Sequence, residues 1–208
     1  STAHDAQVIA FAMYAGNMKV AREVINAIPR KRLFTQIEPD GKQPHELRRT
    51  LAFGYSQFNL SHFIDIFMMA RKIGISIDNA TSEDGRSFYK AMDFLVPYVG
   101  KDVKAWPYQQ ISEWKYKQQE FCKDLYRTFL LNPERKDYLK LYKTHRIIDW
   151  KDRFNLLWME ADDVDNAYAF ACGQLQFAMQ CAAKARKEAD NQCKHRVIPR
   201  SINKDGSL

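Results

Sequence analysis

The sequence predicts an all-α protein, and three observations lead there. Apolar positions recur at helical spacing in successive runs, no stretch alternates apolar and polar residues, and only 8 glycines and 7 prolines punctuate 208 residues. An all-β chain must turn every ~10 residues and would need more of both. Long helices joined by short polar turns pack as antiparallel neighbours, and several here are apolar nearly all round, as when a helix lies between two layers. Such helical hairpins suit a partial α/α toroid, an incomplete α/α barrel whose inner helices are covered on one side and open to a central cleft on the other.

The elements follow in order. Val8, Ile9, Phe11, Ala12 and Met13 give a buried helix from Asp5 to Tyr14 that Gly16 closes. A second helix, Met18 to Ile28, is expected to stop at Pro29. "EPDGKQP", Glu38 to Pro44, places Pro, Asp and Gly where a tight reversal wants them. A helix from about Tyr55 to Lys72 ends at Gly74, and "TSEDGRS" supplies capping residues for the next. The loop "GKDVKAWPYQQIS" leads to helices near Gln118 to Leu131 and Glu134 to Tyr142, and a last long helix is expected from about Asp162 to Lys187.

Composition narrows the class. Hydrophobic residues make up 46% and aromatics 13%, enough for a sizeable packed core and too many for a disordered chain. The formal charge of +7, from 32 Lys and Arg against 25 Asp and Glu, favours polyanionic partners: nucleic acid, acidic polysaccharide or an anionic membrane. The densest basic cluster, "PRKR" at Pro29 to Arg32, reads as a solvated helix junction. Cys122, Cys172, Cys181 and Cys193 show no CxxC and no Cys/His spacing for zinc, so no metal site is expected and the thiols read as small buried residues. No apolar run of ~18 residues exists to span a membrane.

The stretch "HELRRTLAFGYSQFNL", His45 to Leu60, carries the chemistry. Arg48 and Arg49 precede Tyr55 by seven and six positions, and Asn59 and His62 fall on the tyrosine's own stripe if a helix starts there. A polar stripe on an otherwise apolar helix needs partners or a wet cavity, because an unpaired buried polar group costs ~1 to 3 kcal/mol. Spacing alone allows a satisfied core network with two surface arginines, or a catalytic face with a tyrosine beside anion-binding guanidinium groups.

"QIEPDGKQPHELRRTLAFGYSQFNLSHFIDIFMMARKIGISI", with "SEDGRSFYKAMDFLVPYV" and "KAWPYQQI" after it, resembles the C-terminal half of the alginate lyase family related to polysaccharide lyase family five. The likeness runs from Ser1 to about Ile111, and its most specific part is Glu-Leu-x-Arg followed by Tyr. It implies an α/α toroid that cleaves uronic-acid polysaccharides by β-elimination, with Arg49 and Tyr55 catalytic. The partner implied is an anionic polysaccharide, alginate or glucuronan-like, in place of nucleic acid or membrane, and the location periplasmic or secreted. No cofactor is implied. Arg48, Asn59 and His62 become cleft candidates for substrate, and Trp106 and Tyr108 candidates to stack on sugar rings, with a plug into the core as the alternative.

The family also uses an Asn-Asn-His motif directly before a segment resembling "STAHDAQ", with which this chain begins. His4 falls at a family position often held by an aromatic residue, so the family histidine's role does not pass to it and it enters only as a substrate-binding candidate. The resemblance leads us to expect a piece of a longer product that, alone, is a poor catalyst. The segment from Asp163 to Leu208, with its "PRSINKDGSL" ending, resembles the start of an unsaturated glucuronyl hydrolase, which gives an expected division into 1–160 and 161–208. A lyase generates the unsaturated uronic end that such a hydrolase removes. The competing readings are a helical module that captures a polyanion without chemistry, and a purely structural fragment that self-associates.

Overall fold

The computed structural model describes residues 1–147, 152–154, 184 and 187. The chain divides into two compact units, Ser1–Ile148 and Asp149–Leu208. The expected helix from Asp162 and the hydrolase-like tail fall in the second, outside the described residues apart from Lys184 and Lys187. Among the described residues the architecture is all-α: helices and short helical turns, with only two isolated β-bridges.

Helices α1 (Thr2–Tyr14) and α2 (Met18–Ile28) form the first hairpin. Ser1 caps α1 by accepting from the His4 N–H, and Gly16, at φ +73°, turns the chain as the sequence leads one to expect. As expected, α2 ends at Ile28, with Pro29 at its C-cap. The chain runs on through a π-helical turn, Pro29–Leu33, into the short α3 (Phe34–Gln36), with the Phe34 N–H reaching back to the Pro29 carbonyl. Proline removes one N–H from the helical ladder, and the wider turn lets the ladder resume beyond it.

Arg30 and Lys31 of this turn are exposed, as the solvated-junction reading of "PRKR" expects, while Arg32 folds back onto α1. Arg32 donates through Nε to the buried Asp5 carboxylate at 2.7 Å, with Lys31 3.9 Å away, so the basic cluster pins α1. Burial pushes the Asp5 pKa up, but the Arg32 and His4 hydrogen bonds and the charges of Arg32 and Lys31 outweigh it, and the net value lies below 3.8. Because the folded pKa is depressed, this pairing stabilises the fold above the ordinary carboxylate range and the contribution disappears as pH falls through the lowered value. The melting temperature of Asp5→Asn is therefore expected below wild type near neutrality, with the gap closing on acidification. A gap that is constant with pH would contradict it.

After the turn at Gly41 (φ +86°), α4 (Pro44–Leu47) leads into α5 (Ala52–Lys72), the central element, which packs against α1, α2, α4, α6 (Phe88–Leu95) and α7 (Trp114–Leu131). Its buried face carries Phe53, Leu60, Phe63, Ile64, Ile66 and Phe67. Phe67 meets Phe88 of α6 edge-on at 5.0 Å, and Phe53 meets Phe121 of α7 at 5.8 Å. Helix α8 (Lys136–His145) closes onto α7 through Tyr142, stacked on Tyr126 at 4.7 Å. Cys122 on α7 is a buried free thiol whose pKa burial pushes up to about 12, which leaves it inert at neutral pH.

Helix α5 begins three residues before the expected start because its first turn is capped from far along the chain. Ala52 N–H donates to the Gln109 carbonyl at 2.9 Å and Phe53 N–H to Gln110 Oε1 at 3.0 Å, while Ile111 N–H returns to the Thr50 carbonyl at 3.1 Å. These bonds satisfy donors that a helix N-terminus otherwise leaves open, and they fasten the segment between α4 and α5 to the loop before α7.

Candidate functional site

The fastened segment holds Arg49 and Tyr55. Arg49 lies on the exposed strip between α4 and α5, its N–H donating to the Glu46 carbonyl at 3.0 Å. Tyr55 is half-buried on the first turn of α5 and donates its N–H to the Leu51 carbonyl at 2.8 Å. Their side chains meet: the Arg49 guanidinium carbon sits over the Tyr55 ring, 3.9 Å from its centroid. Such stacking holds a flexible arginine in one orientation while leaving its N–H groups to an anion.

The stacked pair borders a cleft of about 240 Å³ lined by Leu51, Gly54, Tyr55, Phe58, Glu113 and Lys117. The floor is α5 and the far wall is the start of α7. Glu113 reaches it from a left-handed backbone conformation, φ +60°, an uncommon one for a residue with a side chain. Phe58 is 49% exposed and offers an apolar ring beside the tyrosine. Beside the pair, burial pushes the half-buried Glu46 carboxyl above its usual pKa, and the charges of Arg49 and His45 pull it back.

The other predicted residues spread out. Arg48 is exposed next to Arg49. Asn59 turns inward: its Nδ2 donates to Gln36 Oε1 at 3.0 Å and Gln43 Oε1 at 2.8 Å, and Gln36 also accepts from Thr2. Asn59 is thus part of a buried amide network joining α5 to α1, α3 and the turn before α4. His62 packs edge-on against Phe58 at 4.5 Å with Nδ1 3.4 Å from Asp65, so it backs the cleft's aromatic wall. His4 is 69% exposed on α1, beside Asp5 at 3.4 Å. Trp106 is 5% exposed and enclosed by Phe53, Phe94, Tyr98, Tyr108 and Trp114 at 4.7–6.4 Å, the core plug foreseen as the alternative to sugar stacking. Tyr108 is half-buried against it.

Sequence reasoning missed Gly54, Phe58, Glu113 and Lys117 as cleft residues, and Gln110 as the cap. Gly54 falls inside α5 only because that helix starts at Ala52 and not at the expected Tyr55; a glycine inside a helix costs ~1 kcal/mol against alanine and asks for a packing reason. Among the described residues no group of three His, Cys, Asp or Glu could hold a metal ion, and no helix is long and apolar enough to cross a membrane.

Fold and cleft together define a helical protein presenting an arginine-stacked tyrosine at an open groove of cationic and aromatic character. The Alginate lyase family matches it over residues 1–106, and the chain belongs to that family. It is similar to an alginate lyase from Bacteroides ovatus of known crystal structure, with 46% sequence identity and a TM-score of 0.73 over 76% of this chain and 42% of that one. The chain thus spans less than half the length of that lyase. No curated protein matches it.

Proposed function

We propose that the chain carries the arginine and tyrosine part of a polysaccharide lyase site that cleaves a uronic-acid polysaccharide such as alginate by β-elimination. The observation that carries this reading is the Arg49–Tyr55 stack at the mouth of the cleft. The C5 proton of a uronate becomes removable only when the adjacent carboxylate is neutralised, since abstraction moves negative charge onto it. Arg49 offers the cation for that carboxylate. A preorganised donor at a developing enolate is worth ~3 to 4 kcal/mol. Tyr55 exchanges protons with the same sugar: the C5–H bond breaks, the C4=C5 double bond forms, the C4–O4 bond breaks, and a proton is delivered to the departing O4. Arg48 and Phe58 border the path of the polymer. Neutralisation is shared, on the family resemblance, with an Asn-Asn-His motif upstream of Ser1.

The remaining parts of the reading rest on that kinship and, for residues 161–208, on the separate resemblance to an unsaturated glucuronyl hydrolase. Residues 1–160 belong to an α/α toroid, 161–208 begin a hydrolase-like domain, and the protein works in the periplasm or outside the cell. The test is ultraviolet absorbance of the C4=C5 double bond on incubation with alginate or glucuronan, for the 208-residue chain and for a form extended upstream through the Asn-Asn-His segment. Absorbance that rises orders of magnitude faster in the extended form supports the reading, because residues acting as a unit lose far more than a proportional share when some are missing. Binding of the polymer by both forms with no double bond from either would favour a polyanion-binding module and sink the lyase.

A further inference from the structure

Lys117 lies beyond the residues matched by the family, yet its side chain lines the same cleft as Tyr55. It is 21% exposed, and its stem lies across α5 at the one place where α5 has no side chain. A Cβ built at Gly54 would lie 3.1 Å from Lys117 Cγ and 3.3 Å from both Cδ and Cε. Gly54 therefore makes the groove in which the lysine stem lies. A long cationic side chain laid along apolar surface keeps its charged head in water, and the ammonium is 5.0 Å from the Tyr116 ring centroid. Glu113, on the same wall, is 3.9 Å from the ammonium, too far for a tight hydrogen-bonded pair.

Resting on the lyase reading of this cleft, we infer that Lys117 is a second carboxylate site, binding the uronate next to the one held by Arg49. A polyuronate carries one carboxylate on every ring, so a chain with one carboxylate at Arg49 presents its neighbours along the groove floored by α5. Lys117 meets one of them from the α7 wall. Glu113 sets a selectivity: it is a loose counter-ion that a substrate carboxylate displaces, and it repels an anion that approaches without reaching the lysine. Gly54 is the positioning residue, because any side chain there moves the lysine stem.

Binding of an alginate oligosaccharide of one defined length by the 208-residue chain tests this, with its carboxyl-reduced, neutral counterpart as control. Lys117→Met is expected to weaken the acidic oligosaccharide about ten-fold and flatten its salt dependence, with the neutral one unaffected. Lys117→Arg should restore most of the affinity. Gly54→Ala should weaken the acidic oligosaccharide in the same direction without lowering the unfolding temperature, since alanine favours the helix. Wild-type affinity in Lys117→Met, or equal loss of both oligosaccharides, would overturn the inference. Arg49→Ala separates the two levels. If it binds normally while Lys117→Met does not, the reading of Arg49 as a carboxylate site has failed and with it the pairing of sites inferred here, leaving Lys117 a lone carboxylate site; if only Arg49→Ala weakens, the inference alone has failed.

Discussion

Tyr55→Phe, tested in a chain extended upstream with an Asn-Asn-His segment, is expected to cut kcat by about 10²- to 10⁴-fold, the range for a positioned proton-transfer group. Binding of the oligosaccharide should stay close to wild type, because the ring that Arg49 stacks on is kept and only the hydroxyl is lost. The fold should be unaffected, since Tyr55 is half-buried and its backbone N–H, which donates to the Leu51 carbonyl, is untouched by the change. Steady-state kinetics from the double-bond absorbance read both quantities. An equal fall in affinity with kcat preserved would make Tyr55 a binding residue and move the proton transfer elsewhere.

Trp106→Ala is expected to destabilise the fold by about 3 to 5 kcal/mol, the cost of deleting a large buried aromatic. Its ring is edge-on to Phe53 at 5.4 Å and to Tyr98 at 4.7 Å, joining α5 to the loop that caps it. Trp106→Phe should lose much less, because the buried indole Nε1 has no hydrogen-bond partner among the described residues and the apolar contacts largely remain. Denaturant unfolding distinguishes the variants. A tryptophan that instead stacked on sugar would show the opposite pattern, a loss of oligosaccharide affinity with stability intact.

The helices were legible because each carries its own signal in apolar spacing and in the glycines and caps at its ends. Gly16 and Gly74 mark turns with φ +73° and +76°, as local sequence alone suggests. What was not legible came from distant residues. The start of α5 is fixed by Gln110, 57 positions on, and no window around Ala52 contains that information. The end of α2 at Pro29 was legible, whereas the pairing of Asp5 with Arg32 in the π-helical turn beyond it, 27 positions along the chain, was not.

The candidate site was legible in the same partial way. Arg49 and Tyr55 carried it through motif and kinship, although Arg49 precedes the helix and its stacking follows from no helical spacing. Asn59 and His62 share the tyrosine's stripe only loosely, for at about 100° per residue they lie about 40° to one side of it and 20° to the other. That spread decides their surroundings: Asn59 meets Gln36 and Gln43, and His62 meets Phe58 and Asp65. Lys117 was invisible because it comes from a helix more than sixty positions later, and the only mark it leaves near Tyr55 is the glycine that makes room for it.

The most direct measurement is a crystal structure of the upstream-extended Tyr55→Phe variant with an oligouronate bound, since loss of the hydroxyl should trap intact substrate. The expected result is a uronate carboxylate in charge-assisted contact with Arg49 at ~2.7 to 2.9 Å. The scissile C5 and O4 should face the position of the missing hydroxyl, and the neighbouring sugar should lie along the groove toward Lys117. An oligosaccharide bound away from Arg49, or a sugar whose C5 points out of the cleft, would contradict the account at its centre.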